Sequence, residues 1–381
     1  MHQAISWLSS QLPMMEAALA ELVAINSFSA NIDGCNRVVQ KIAQLLQISG
    51  LSSELVKGRS TGDHLVVRSQ GAADRSPIIL VGHLDTVFPP GTFDGYQVDG
   101  NRRRGPGVLD MKGGLIVIAW ALKAIAETTP WLHLPSLRVV VVSDEEIGSP
   151  EGRDVVTREA MDCGACLVFE SGRSTDQIVT RRKGTATVNV EASGRPAHAG
   201  NAYWDGANAI WSLAKFVDAA QALANRSTGV TVNVGVISGG TSKNTVPAAA
   251  SAEMDLRFES SADALTLKTQ LQAIAKTCAE PNTSLQLIFG AGRPPMEATH
   301  ASRALLAEYA ACARQHGLGG EEASLQGGGS DGNTVAALGV PTIDGLGPRG
   351  AHFHTPDEYI EVDSLVAKAA ALVEFLLGRS A

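Results

Sequence analysis

Four places along the chain put metal-type ligands at the end of a short apolar run. His83 and Asp85 follow Ile78 to Val81 as Val-Gly-His-Leu-Asp-Thr-Val, and Asp110 stands in Gly-Pro-Gly-Val-Leu-Asp-Met-Lys-Gly-Gly ahead of an apolar helix. Asp144, Glu145 and Glu146 follow a valine-rich run as Val-Ser-Asp-Glu-Glu-Ile-Gly-Ser, and Glu170 ends Leu-Val-Phe-Glu. In an open α/β sheet the carboxyl ends of the strands are where sites assemble. Converging carboxylates are costly to bury unpaired, so this set calls for cations. Imidazole and carboxylate donors without cysteine suit zinc or a similar divalent ion. Adjacent Glu145 and Glu146 cannot point the same way on a strand-like stretch, so one can bind metal while the other faces water. A metal pair about 3.5–4 Å apart needs a bridging carboxylate and makes a shared water acidic. That chemistry requires a general base, and Glu145 is available for it.

Taken alone, each feature has an ordinary structural explanation. A His-Xaa-Asp is usually a surface hydrogen bond, paired glutamates a solvated loop, and Asp110 a helix N-cap. It is the joint order at four strand ends that points to a site. Cys163-Gly-Ala-Cys166 precedes a buried strand and has no second cysteine pair, so structural cysteines are expected. His64, His133, His300 and His316 stand alone and read as surface or satisfied residues. The Gly-Gly pairs at Gly239 and Gly319 are turns, since no Lys-Ser or Lys-Thr follows into a helix. Gly328, Gly329 and Ser330 form a loop whose backbone N–H groups can hold substrate.

The elements that must position these residues fall into two patterns. Leu12 to Ile25 and Arg37 to Leu46 have helical periodicity, Pro77 to Val81 is a short strand, and Gly113 to Ala126 an apolar helix. Leu137 to Ser143, Ala165 to Ser171 and Val340 to Gly345 are strands, and Ser364 to Leu377 closes the chain as a helix. Strands this apolar on both faces predict a buried, mostly parallel sheet covered by helices, an α/β fold. From Gly184 the order becomes strand, helix, strand, strand, helix, strand, the βαββαβ arrangement of a ferredoxin-like unit. The expected division is 1–183 and 294–381 for one catalytic domain, interrupted by a 184–293 lid and dimerisation domain. At 381 residues, two domains are the default. A net charge of −8 argues against nucleic acid as a partner. No run of about 18 apolar residues spans a bilayer, so no membrane partner is expected. The start lacks the basic and apolar regions of a signal peptide, and the five cysteines are an odd number. A cytoplasmic protein is the expectation.

The motifs His-Leu-Asp-Thr-Val, Asp-Met-Lys-Gly-Gly, Ser-Asp-Glu-Glu-Ile-Gly and His-Thr-Pro-Asp-Glu-Tyr together resemble the aminoacylase and glutamate carboxypeptidase family of co-catalytic zinc peptidases, over nearly the whole chain. The resemblance implies two Zn2+ per subunit, with Co2+ or Mn2+ as substitutes. It assigns His83 to one ion, Asp110 to the bridge, Glu145 to the base, and Glu146, Glu170 and a C-terminal histidine to the remaining ligands. Asp85 would support His83 from behind. Spacing to Asp357 selects His354 over His352, as does alternation along an extended stretch. The same resemblance implies that His198 stabilises the oxyanion across a homodimer, while Asn244 and Arg257 clamp a free carboxylate. Arg293 and the Gly-Pro-Arg-Gly before the C-terminal histidine lean toward an acidic side chain. The expected activity is therefore hydrolysis of a small peptide or N-acyl amino acid next to a free carboxylate, most simply as a glutamate carboxypeptidase. The alternatives are an N-acyl-amino-acid deacylase (aminoacylase, deacetylase or desuccinylase), a non-catalytic binding protein on this fold, and a thiol oxidoreductase using Cys163 and Cys166.

Overall fold

The structure, a computed structural model, describes residues 2–72 and 74–379. The chain divides into two compact units, one formed by 1–181, 298–326 and 330–381, the other by 182–297 with 327–329.

The larger unit is built on a six-stranded sheet in the order Leu51–Val56, His64–Ser69, Leu137–Val142, Ile78–His83, Ala165–Val168, Thr342–Ile343. The last four strands run parallel and the first two pair antiparallel. Every residue of Ile78–His83 and Ala165–Val168 is buried, as strands covered on both faces must be. Leu80, Val139 and Leu167 face one layer, with the helices Gly113–Ala126 and Ser364–Gly378. Ile79, Val81, Val140 and Val142 face the other, with Gly152–Ala160 and Asp331–Ala337. A second, small sheet joins Gly350–Ala351, Tyr359–Glu361, Arg102–Arg104 and Gln97–Asp99 in that order. Sequence reading missed this sheet and the His64–Ser69 strand, because short strands interrupted by charged residues carry no clear period. His64 belongs to that buried strand and accepts a hydrogen bond from the Ser143 N–H at 3.3 Å.

The smaller unit is a four-stranded antiparallel sheet in the order Thr231–Gly239, Ala249–Phe258, Gly184–Ser193, Ser284–Arg293. Helices Ala209–Gln221 and Ser261–Cys278 join these strands in the βαββαβ order. Val188, Val190, Met254, Leu213, Phe216 and Leu271 form its own core. Among the described residues no helix is long and apolar enough to cross a membrane.

Candidate metal centre

Three parallel strands of the larger unit end side by side, and each hands over to a chemically active residue. His83 is the last residue of its strand, Glu145 and Glu146 follow Leu137–Val142 by a 3-10 turn, and Glu170 lies two residues past Ala165–Val168. Asp110 and His354 come from turns laid across these ends. The donor atoms fall into two sets. His83 Nε2 stands 3.1 Å from Asp110 Oδ1 and 3.5 Å from Glu170 Oε1. His354 Nε2 stands 3.1 Å from Asp110 Oδ2 and 3.2 Å from Glu146 Oε2. Asp110 is common to both, one carboxylate oxygen to each.

His83, Asp110 and Glu146 each offer a donor atom, all within 4.8 Å of one another, so the residues present fit a metal ion. The ring nitrogen His83 Nδ1 lies 3.1 Å from the Asp85 carbonyl oxygen and donates to it when neutral. That leaves the Nε2 lone pair aimed at two carboxylate oxygens, which repel it unless a proton or a cation lies between. In the protein alone, protons fill that place. Bonds to Asp110 and Glu146 push the His354 imidazole up to about 10. Burial works against the charge of His83, yet Glu170 and Asp110 raise it well above the usual histidine value. Burial, then the charge of Asp110, pushes Glu170 up to about 7, and burial likewise raises Glu146. Burial opposes ionisation of Asp110, but its two histidines hold it well below the usual carboxylate range. Two ligand atoms about 2.0–2.2 Å from a tetrahedral zinc stand roughly 3.3–3.6 Å apart, slightly beyond the 3.1–3.5 Å separations of these atoms. Glu146 Oε1 is buried with no hydrogen-bond partner among the described residues, a costly state that a cation would relieve.

Asp85 does more than support His83. It is fully buried, and its Oδ1 and Oδ2 accept from the backbone N–H groups of Glu145 and Glu146, each at 3.1 Å. The Ser29 hydroxyl donates to Oδ2 at 2.6 Å. One carboxylate thus sets the turn that carries both glutamates. That turn is 3-10 and not strand-like, so neighbouring side chains diverge by rotation about the helix axis instead of by strand alternation. Asp144 faces away, accepting from Glu151 and Gly152 N–H at 2.8 and 2.9 Å to cap the next helix.

Asp110 sits in an irregular turn, Val108–Lys112, where its own backbone leaves the helical region at φ −121° and ψ 90°. The turn opens on Gly107 at φ +76°, where a side chain would also strike Thr86. It ends on Gly113 and Gly114, and these two are more than tolerated in the helix. A Cβ on Gly114 would lie 2.1 Å from the Phe169 carbonyl, so glycine lets the helix lie against the strand end bearing Glu170. Glu358, missed by sequence reading, accepts from the N–H groups of Leu109 and Asp110 at 2.8 and 3.0 Å. Its neighbour Asp357, exposed and paired with Arg104, masks it as one more surface acid.

His354 stands beside Asp110 and Glu146, while His352 instead sets its ring tilted, 6.0 Å from that of Tyr359. Alternation is not the reason. Both histidines have positive φ, 67° and 63°, in a turn and not in an extended stretch. Arg349, of the Gly-Pro-Arg-Gly sequence, directs its guanidinium to Asp176 and Glu361. Cys163 and Cys166 are buried free thiols, pushed up to about 11 and well above the usual value by burial, which makes them poor nucleophiles.

The other expected residues belong to the smaller unit. His198 pairs across to Thr245, and the Asn244 carbonyl accepts from the Ala199 N–H at 2.9 Å, so His198 and Asn244 are neighbours. His198 Nδ1 accepts from the Gly200 and Asn201 N–H groups, each at 3.1 Å. The ring proton of neutral His198 therefore lies on Nε2, as an outward donor. Arg257 and Arg293 both sit opposite Thr185 on the two strands flanking it, and so on one face of the sheet. Arg257 and Arg182 donate to the carbonyls of Gly327 and Gly328 at 3.3 and 3.1 Å. Gly329 lies in this same loop. Ser330 does not suit a substrate contact. It is fully buried, its N–H donates to Asn333 Oδ1 at 2.9 Å, and its hydroxyl donates to Asp344 at 2.7 Å while capping the next helix.

The peptidase family M20/M25/M40 model matches residues 79–378. The chain is 27% identical to carboxypeptidase G2 of Pseudomonas sp. (strain RS-16), over 94% of this chain and 87% of that protein. It is 26% identical to succinyl-diaminopimelate desuccinylase of Nitrosomonas eutropha, over 92% and 94% of the two chains. Its fold matches an M20 family metallo-carboxypeptidase from Sulfolobus solfataricus with a TM-score of 0.75 at 17% identity, over 95% and 98% of the two chains. With all the acid and imidazole donors drawn to strand ends of one sheet, and that match over most of its length, the chain belongs to peptidase family M20/M25/M40, as a metallohydrolase acting on C–N bonds.

Proposed function

We propose that the chain is a two-zinc hydrolase cutting a peptide or N-acyl amide bond next to a free carboxylate, most simply as a glutamate carboxypeptidase. The observation that carries this reading is Asp110, whose two carboxylate oxygens face His83 and His354 at 3.1 Å each. His83 and Glu170 would hold one ion, His354 and Glu146 the other, and Asp110 both. Zinc bound there would polarise the scissile carbonyl and make a water acidic. Glu145 takes the water's proton and returns it to the leaving amine, on a turn that Asp85 fixes. His198 of a second copy presents its Nε2–H to the developing oxyanion. Asn244, Arg257, Arg293 and the loop at Gly329 hold the substrate's carboxylates; two arginines on one sheet face support a substrate with more than one.

The deacylase reading is favoured by the similarity to a desuccinylase. Comparing kcat/KM for N-acyl-glutamate and N-acyl-alanine, in parallel with a Glu145→Ala variant, tests both levels. A preference for glutamate is expected; equal rates for the two substrates count for the deacylase. Glu145→Ala should keep its metals and lose roughly 10²–10⁴ in kcat, and near-normal turnover would end the hydrolytic assignment of that residue.

A further inference from the structure

Two segments that share no strand of the main sheet must meet accurately if Asp110 is to serve both donor sets: the turn Val108–Lys112 and the loop bearing His354. The small sheet brings their backbones together. Tyr359 pairs with Arg104 and Ile360 with Arg103, just before the Asp110 turn. The same strand pairs back on Gly350–Ala351, closing the loop that carries His354. At the base of this loop, Glu358 turns inward and is fully buried. One of its oxygens accepts from the Leu109 and Asp110 N–H groups at 2.8 and 3.0 Å, and the other faces the Gly107 N–H at 3.4 Å. The turn's own bonds run from Lys112 N–H to the Gly107 carbonyl and from Gly113 N–H to the Val108 carbonyl, while the Leu109 and Asp110 N–H groups at its start point to the Glu358 carboxyl as their acceptor.

We infer that Glu358 is the positioning residue that fixes Asp110 relative to His354. Asp110 is gripped from both sides by one loop: its backbone N–H by Glu358 and its Oδ2 by His354, four residues apart. Without Glu358 the turn retains its covalent course but loses the bond that orients the Asp110 backbone, and with it the placement of both carboxylate oxygens. Glu358 does not touch the substrate or the reacting atoms.

The inference rests on reading Asp110 as the ligand shared by two ions, and the test separates the two claims. Zinc affinity is measured by chelator competition on Glu358→Ala, Glu358→Gln and Asp110→Asn, with kcat, KM and the thermal midpoint of the metal-free proteins. Glu358→Ala should bind zinc about 10–100-fold more weakly, with kcat falling and KM little changed. Glu358→Gln keeps an oxygen for Leu109 and Asp110 but turns an amide N–H₂ toward Gly107. It should fold and lose about threefold or more in zinc affinity, since the Gly107 N–H loses its acceptor and meets a second donor in its place. If Glu358→Ala does not fold, Glu358→Gln decides. Wild-type zinc affinity and kcat in Glu358→Gln overturn the inference. So does a Glu358→Ala protein that loses only thermal stability and keeps its zinc. An Asp110→Asn protein with both ions and full activity overturns instead the reading beneath it.

Discussion

Each candidate metal donor carries a protonation state set by burial and by its neighbours, and the whole set can be tested through its protons. In the metal-free protein His354 keeps its proton up to about 10, held by Asp110 and Glu146, and burial keeps Glu170 protonated up to about 7. A donor must give up its proton before it binds a cation, so affinity should rise with pH across roughly 6 to 10. At pH 7.5 uptake of zinc should release at least the His354 proton, seen calorimetrically as a heat that changes with the ionisation enthalpy of the buffer. Equal heats in two such buffers would refute it. For the metal-free fold the sign reverses. A raised histidine stabilises fully below its ordinary value near 6.5 and loses that contribution as pH rises toward 10. The types and order of these residues were legible in the sequence, because acids and imidazoles at apolar strand ends have few other uses. Glu358 was not. A buried acceptor for backbone N–H groups looks the same in sequence as an exposed acid beside it.

At the scale of elements, the glycines and buried ion pairs of the larger unit hold the loops in place. Asp176 is 3% exposed at its side chain and pairs with Arg349 at 2.7 Å and with Lys368 at 3.1 Å, the lysine itself 4% exposed. Burial opposes its ionisation, but the two cations win and hold it below the usual carboxylate range. Arg349 also opens the segment that runs into the His354 loop, so this cluster anchors that loop to the core. Asp176→Asn leaves Lys368 buried without its counter-ion and should cost about 3–5 kcal/mol, read from the urea midpoint at neutral pH. A loss under about 1 kcal/mol would mean the cluster is solvated like a surface pair. Arg349 thereby gains a structural role that its place in a substrate-leaning motif concealed. The most apolar helices and strands were legible within a few residues, but the more polar helices Gly152–Ala160, His300–Gln315 and Asp331–Ala337 and the strand Leu51–Val56 were not, because their apolar stripe is narrow. The small sheet was not, since its strands of two or three residues are defined by their partners and not by their composition.

At the scale of the molecule, the Thr231–Gly239 strand lies at the edge of its sheet with Val236 and Ile237 exposed, and Trp204 and Trp211 are 91% and 51% exposed in the same unit. An open strand edge and exposed tryptophans in one unit invite pairing with another chain. A homodimer through this unit is the expected state, checked by sedimentation at working concentration. Charged substitutions at Val236 and Trp211 should give monomers with greatly reduced turnover, because His198 of the second copy would be missing. A fully active monomer would contradict it. What the sequence by itself determined was the family of chemistry and the two-part α/β plan. Both rest on local pattern: apolar runs, their ends, and the residue types placed there. Only the tertiary structure decided that Asp110 turns one oxygen to each histidine, that Asp85 orients the Glu145–Glu146 turn, that Ser330 is spent on a helix cap, and that Glu358 accepts from the Leu109 and Asp110 N–H groups. Those are statements of direction among residues as much as 249 positions apart, which depend on how the sheets close and leave no trace in the order of residues along the chain.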